Sequence, residues 1–208
     1  MNSSYKLLII ITLLIIGCNP RADNKTIITQ SINSMDMNIF SNEGEKFLSI
    51  KSPYSNYDND KNVFSLKETT INLFNNNKSE FIISSDKSKI SNNNKLLELD
   101  GNVLIRSLIK NEEEIYSNKI IWDINNSEFL LIGNVNFKNN QISLSSNKAI
   151  FDKKNNIIEF FNPVKYTVND MNKEKKYEVN SENAYYNINT KSVSFSSKEN
   201  KVRSKIYF

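Results

Sequence analysis

The only thiol in the chain is Cys18, and it follows Gly17 at the end of an apolar run over residues 7–16 that only Thr12 interrupts. A lone sulfur can carry one covalent attachment. It cannot form an intrachain disulfide or a thiolate metal cluster. The chain has no His, which removes the commonest general base and the commonest metal ligand. Its densest acidic group is Glu112-Glu113-Glu114, between two strand-like segments, where it reads as a charged hairpin tip. There is no Gly-rich phosphate loop. The residue types therefore argue against an enzyme and call for no cofactor. The chemistry that remains is attachment at Cys18.

The segment ahead of Cys18 suits that chemistry. Residues 1–6 form a short, weakly positive head, and the apolar run is well short of the about 20 residues that span a bilayer. The length fits the apolar core of a secretion signal. Gly17-Cys18 resembles the bacterial lipobox, which implies cleavage before Cys18 and a diacylglyceryl group on its sulfur. An uncleaved short anchor is the alternative. Residues 1–17 are thus expected to be a lipoprotein signal peptide. Residues 18–34, polar and without clear periodicity, are expected to be the acylated Cys and a flexible tether. More than one acyl chain on a residue holds a protein stably at a membrane, whereas one does not.

The chain has 208 residues, enough for one domain with a sizeable core. Net charge is +4, with Lys interleaved among Asp and Glu throughout, so no nucleic-acid footprint is expected. The Asn runs at 75–77 and 92–94 read as hairpin tips, because Asn tolerates left-handed backbone angles.

A segment recurs that opens on Ser and closes on a large apolar or aromatic residue. It is clearest as Ser117-Asn118-Lys119-Ile120-Ile121-Trp122-Asp123, Ser146-Asn147-Lys148-Ala149-Ile150-Phe151-Asp152 and Ser181-Glu182-Asn183-Ala184-Tyr185-Tyr186-Asn187. Looser copies open at Ser52 and Ser85. The anchors Tyr57, Ile90, Trp122, Phe151 and Tyr186 lie 33, 32, 29 and 35 residues apart. Val103, Val135 and Val164 each follow an anchor by 13 residues, two of them within Gly-Asn-Val. Such a period signals stacked supersecondary units that bury their apolar faces together.

Within the repeat the period is two. The rows Leu97, Leu99, Gly101, Val103, Ile105, then Phe129, Leu131, Gly133, Val135, Phe137, then Ile158, Phe160, Asn162, Val164, Tyr166 align position for position. This alternation predicts half-buried antiparallel strands, and no segment past the signal carries a helical apolar stripe. The expected fold is all-β: an open roll of repeated hairpins over residues 35–208, with two unpaired end edges. Gly101 and Gly133 read as bulges or as relief of crowding.

Ser…Ala-x-Tyr/Phe-Asp/Asn, a polar turn, and a strand ending in Gly-Asn-Val resemble the periplasmic β-jellyroll proteins of lipopolysaccharide export, the Lpt bridge proteins and OstA-type domains. The resemblance runs from about Phe47 to Phe195, and the anchored N-terminus points to the LptC-like member. It implies a β-jellyroll at the periplasmic side of the inner membrane that takes lipopolysaccharide from an ABC transporter and hands it to a soluble bridge protein. A lipid anchor on Cys18 departs from the family's N-terminal helix and leaves the outer membrane open as a second location. Acyl chains would lie against Leu99, Val103, Ile105, Trp122, Leu131, Val135, Phe137, Phe151, Phe160 and Val164, all of which a solid core would also need. Lys119, Lys148 and Arg106 could meet phosphates, though scattered cations on a solvated face are the plainer reading. The N-terminal edge, with residues 47–51 as candidate, would meet the transporter. The C-terminal edge, within residues 192–208, would meet the bridge protein. The alternative is a structural envelope lipoprotein whose solid β-sandwich scaffolds a membrane complex.

Overall fold

The computed structural model describes residues 29–41, 43–91, 93–109, 113–168, 176–198 and 202–207. The expected signal peptide, Cys18 and the first part of the tether lie outside these residues. The strands are β1 (Thr29–Phe40), β2 (Lys46–Asp58), β3 (Val63–Asn75), β4 (Lys78–Ser91), β5 (Leu96–Ser107) and β6 (Glu114–Asp123). They continue with β7 (Glu128–Lys138), β8 (Ile142–Asp152), β9 (Ile157–Val168), β10 (Lys176–Asn187), β11 (Ser192–Ser196) and β12 (Arg203–Tyr207). All described strands join one antiparallel sheet in chain order from β1 to β11, while β12 pairs with β10. The fold is the all-β roll of hairpins that the repeat predicts. The Asn hairpin tips are borne out, with Asn76, Asn77, Asn93 and Asn94 all at positive φ.

Two expectations need correction. β1 begins at Thr29, so residues 29–34 belong to the sheet and not to the tether. Residues 47–51 are not an edge, because β1 pairs with β2 along its length, from Thr29 opposite Asp58 to Phe40 opposite Lys46. The physical reason is a break of phase at Ser34, which has φ 63°. It moves the inward parity from even to odd, so Met35, Met37 and Ile39 alternate while Ile32 falls out of step.

The same device recurs in the long strands and explains the repeat. From β4 to β10 the register shifts near the middle of every pairing, for example between Asp100 and Val103 on β5 and between Ile132 and Val135 on β7. At these bulges Gly101-Asn102 and Gly133-Asn134 take positive φ of 76° and 47°, then 76° and 48°. A Cβ on Gly101 would stand 2.7 Å from Asp86 Oδ2, and one on Gly133 2.8 Å from Asn118 Nδ2. Only Gly fits both the backbone angle and the approach. The repeated Ser occupies the facing strand. Ser52, Ser146 and Ser181 donate to the carbonyls of Tyr54, Lys148 and Asn183 two residues on, at 2.7, 2.8 and 2.9 Å. The Ser segment and the Gly-Asn-Val segment are therefore two sides of one bulge, which is why they keep a fixed distance in sequence.

Aligned bulges divide the strands into two leaves. Strands β2 and β6 stand four places apart in the sheet, about 19 Å if it were flat. Yet the rings of Phe47 and Trp122 have centroids 6.1 Å apart. Phe81 on β4 and Phe151 on β8 meet at 5.7 Å. The leaves fold toward one another about the line of bulges, and the apolar rows of both fill the space between them.

Candidate functional site

The leaves are hydrogen-bonded through the sheet at the bulge line and meet again along a seam at their far rims. On one rim the turns between strands stack by backbone bonds: Ile124 N donates to Lys95 O, Lys153 N to Ser127 O and Ile188 N to Asn156 O, at 2.7–2.9 Å. The opposite rim carries the β3–β4 hairpin, where Glu80 accepts from Asn75 Nδ2 at 2.6 Å. Across the seam Lys153 Nζ stands 3.4 Å from Glu80 Oε2, both side chains more than four-fifths buried. A mouth of about 290 Å³ opens here, lined by Phe47, Trp122, Phe129, Glu80, Lys153 and Lys154 among others.

Behind the ion pair the rings form a continuous chain from leaf to leaf. Phe47 touches Trp122, Trp122 stacks on Phe129 at 4.5 Å, Phe129 stacks on Phe151 at 5.5 Å, and Phe151 meets Phe81 edge-on. Trp122 settles its own N–H on Asn126 O at 3.0 Å, so the indole presents only apolar surface inward. Farther along, Phe137 packs on Tyr186 with centroids 4.4 Å apart. The Tyr186 hydroxyl donates to Glu113 Oε1 at 3.1 Å and receives Asn139 Nδ2 at 3.4 Å. Burial first, and the Glu113 carboxylate second, hold the Tyr186 phenol well above its ordinary pKa.

The ten residues expected to face lipid all point between the leaves, and none is more than 2% exposed. In this conformation they are packed core, and any ligand among them requires the seam to part. The interface there is side-chain packing with one ion pair, whereas the bulge line is a backbone ladder.

Sequence reasoning missed Phe47, Phe81, Glu80 and Lys153, because nothing local to them reveals what lies across the seam. It also read the acidic triplet as a plain hairpin tip. Glu113 instead turns inward and is 5% exposed. Its neighbour Glu114 does face outward, joined to Arg106, Lys138 and the Tyr116 hydroxyl. Those bonds, the Tyr116 one foremost, lower its carboxyl pKa. The expected phosphate candidates are engaged elsewhere: Arg106 on Glu114, Lys119 on Glu98 at 2.7 Å, and Lys148 over the Phe161 ring at 5.5 Å. Among the described residues no cluster of three or more potential ligands could hold a metal.

Residues 7–130 match the family model described as lipopolysaccharide-assembly, LptC-related, and residues 105–205 match that of the OstA-like proteins. No curated protein matches the chain. Among solved structures it is similar to LptH, the LptA homologous periplasmic component of the conserved lipopolysaccharide transport device from Pseudomonas aeruginosa. That similarity has 7% identity and a TM-score of 0.39, covering 77% of this chain and 94% of that one. The LptC-related match spans more than half of the sequence: the chain belongs to the LptC-related lipopolysaccharide-assembly family, as a non-enzymatic component of lipopolysaccharide transport.

Proposed function

We propose that this chain is a lipid-anchored relay, held at the inner membrane by acylated Cys18. It takes the acyl chains of lipopolysaccharide from the membrane transporter between its two leaves and passes them to a soluble bridge protein. The observation that carries this reading is the seam. A chain of rings from Phe47 to Phe81 lies directly beneath one partly buried ion pair, Glu80–Lys153, and the ten interior residues continue from it. Acyl chains would replace ring-on-ring contact with ring-on-methylene contact, so opening need not expose apolar surface to water. The sheet ends supply the partners. β1 is nearest the anchor and would meet the transporter, and β11 with β12 would meet the bridge protein by strand addition.

A photoreactive residue at Trp122 or Phe137 tests the interior. In cells it should crosslink to lipopolysaccharide, and a Glu80→Cys, Lys153→Cys pair should suppress that crosslink when oxidised and restore it when reduced. A second reading, a solid scaffold, draws on the complete burial of the ten residues. It expects no glycolipid adduct from either position, and that result would replace the relay.

A further inference from the structure

The outer face of the sheet across β3 and β4 carries a feature the relay does not use. Lys67 on β3 and Lys87 on β4 are direct cross-strand partners, and Lys89 lies one step along the same exposed face, opposite Ser65. Like charges placed directly opposite weaken a strand pair. Carboxylates stand on the next strand, Asp100 opposite Lys87 and Glu98 opposite Lys89, yet among the described residues Lys67, Lys87 and Lys89 form no direct ion pair. Glu98 is instead committed to Lys119 at 2.7 Å. A sheet that keeps two cations directly opposite one another breaks its own local rule, and such departures concentrate at functional sites.

The surrounding shape agrees. These lysines line an open trough of about 520 Å³ that crosses β1 to β6. Five strand spacings give it a length of about 24 Å. Its lining mixes ammonium groups with the amides of Asn33 and Asn56, the Ser65 hydroxyl and the Asp100 carboxylate. Tyr54, at one end, is 57% exposed. The trough is open to solvent and lined by both polar and apolar atoms. It runs across the strands, so a peptide laid in it could not extend the sheet by backbone pairing. Amides and hydroxyls that give and take hydrogen bonds, a carboxylate to accept from sugar hydroxyls, an exposed ring to lie against a sugar face and unpaired cations suit a phosphorylated or carboxylated oligosaccharide.

We infer that the trough is a second binding site, for an anionic oligosaccharide, separate from the interior between the leaves. The test uses the full chain and a probe without acyl chains: the phosphorylated oligosaccharide left after complete deacylation of lipopolysaccharide. Titration calorimetry should show binding that weakens as salt is raised. The Lys67→Gln, Lys87→Gln double variant should bind at least tenfold more weakly while its Tm is little changed, because the lost Lys67–Lys87 repulsion offsets the lost Lys87–Asp100 attraction. A drop in Tm with binding retained would overturn the inference. So would absence of binding by the unaltered chain, equal affinity for the dephosphorylated oligosaccharide, or equal competition by polyglutamate, which would assign the lysines to acidic peptide. The interior crosslink at Trp122 separates the two sites. It should persist in the double variant, and its loss there would fold the trough into the interior route and remove it as a site of its own.

Discussion

Gly133 on β7 lies against the side chain of Asn118 on β6, so closely that a Cβ would stand 2.8 Å from Asn118 Nδ2 and 3.2 Å from its Cβ. Each belongs to a different sequence motif, and they meet where the β6–β7 register shifts. Gly133→Ala should therefore cost more than its backbone strain alone. The positive φ by itself costs about 1–2 kcal/mol, and displacement of Asn118 adds to it. Gly44→Ala is the control, since Gly44 has φ 82° but nothing within 4 Å of the added methyl. Urea denaturation should rank Gly133→Ala clearly below Gly44→Ala, and equal losses would show that the approach to Asn118 does not matter.

Glu80→Gln should loosen the seam with little effect on the fold. It leaves Lys153 partly buried without its partner. The expected loss is about 1 kcal/mol in global stability. Hydrogen exchange should quicken at Phe81 and Phe151 relative to Leu99 and Leu131 near the bulge line. Uniform quickening across all four would mean that the seam does not open separately.

Tyr186→Phe should destabilise the roll by about 1–3 kcal/mol, because the buried Glu113 carboxylate loses a donor. It should also change the alkaline limb. Tyr186 has its folded pKa raised above the ordinary 10.0, so the unfolded chain releases that proton first. Its contribution is complete below pH 10 and is lost as pH rises above that value. Stability measured from pH 9 to about 11.5 should fall less steeply in Tyr186→Phe than in the parent. Some slope should persist, since burial also raises Tyr166. Identical slopes would remove Tyr186 from the titration.

Cys18→Ala should leave an unprocessed precursor of higher mass. Mass spectrometry of the parent protein with Met1 intact would end the lipid-anchor proposal.

The sheet was legible in the sequence where strand, bulge and turn are written in adjacent residues. The inward rows through Leu97, Phe129 and Ile158, the Asn hairpin tips and the phase of Val103, Val135 and Val164 all follow from period and turn chemistry. β1 was obscured because Ser34 switches the inward parity in mid-strand. The inward turn of Glu113 was hidden because its partner Tyr186 is 73 residues away and arrives only through the curl of the roll. Glu80 and Lys153 are remote for the same reason. The ten interior residues could be placed between the leaves from sequence. Their tight closure depends on rings such as Phe47 and Phe81 reaching over from the other leaf.

The two ends of the sheet are unlike. β1 offers one continuous strand of 12 residues that crosses both leaves. At the other end β10 is shared by β12, along residues 176–180, and β11, along residues 183–187. The outermost border there is broken, since β11 ends at Ser196 and β12 starts at Arg203. Head-to-tail stacking of identical copies would have to seat an unbroken border on one interrupted between β11 and β12. A heterologous contact of that kind would grow without limit if it fitted. The two borders of the sheet are therefore not complementary copies of one another: one is continuous and the other is interrupted between Ser196 and Arg203.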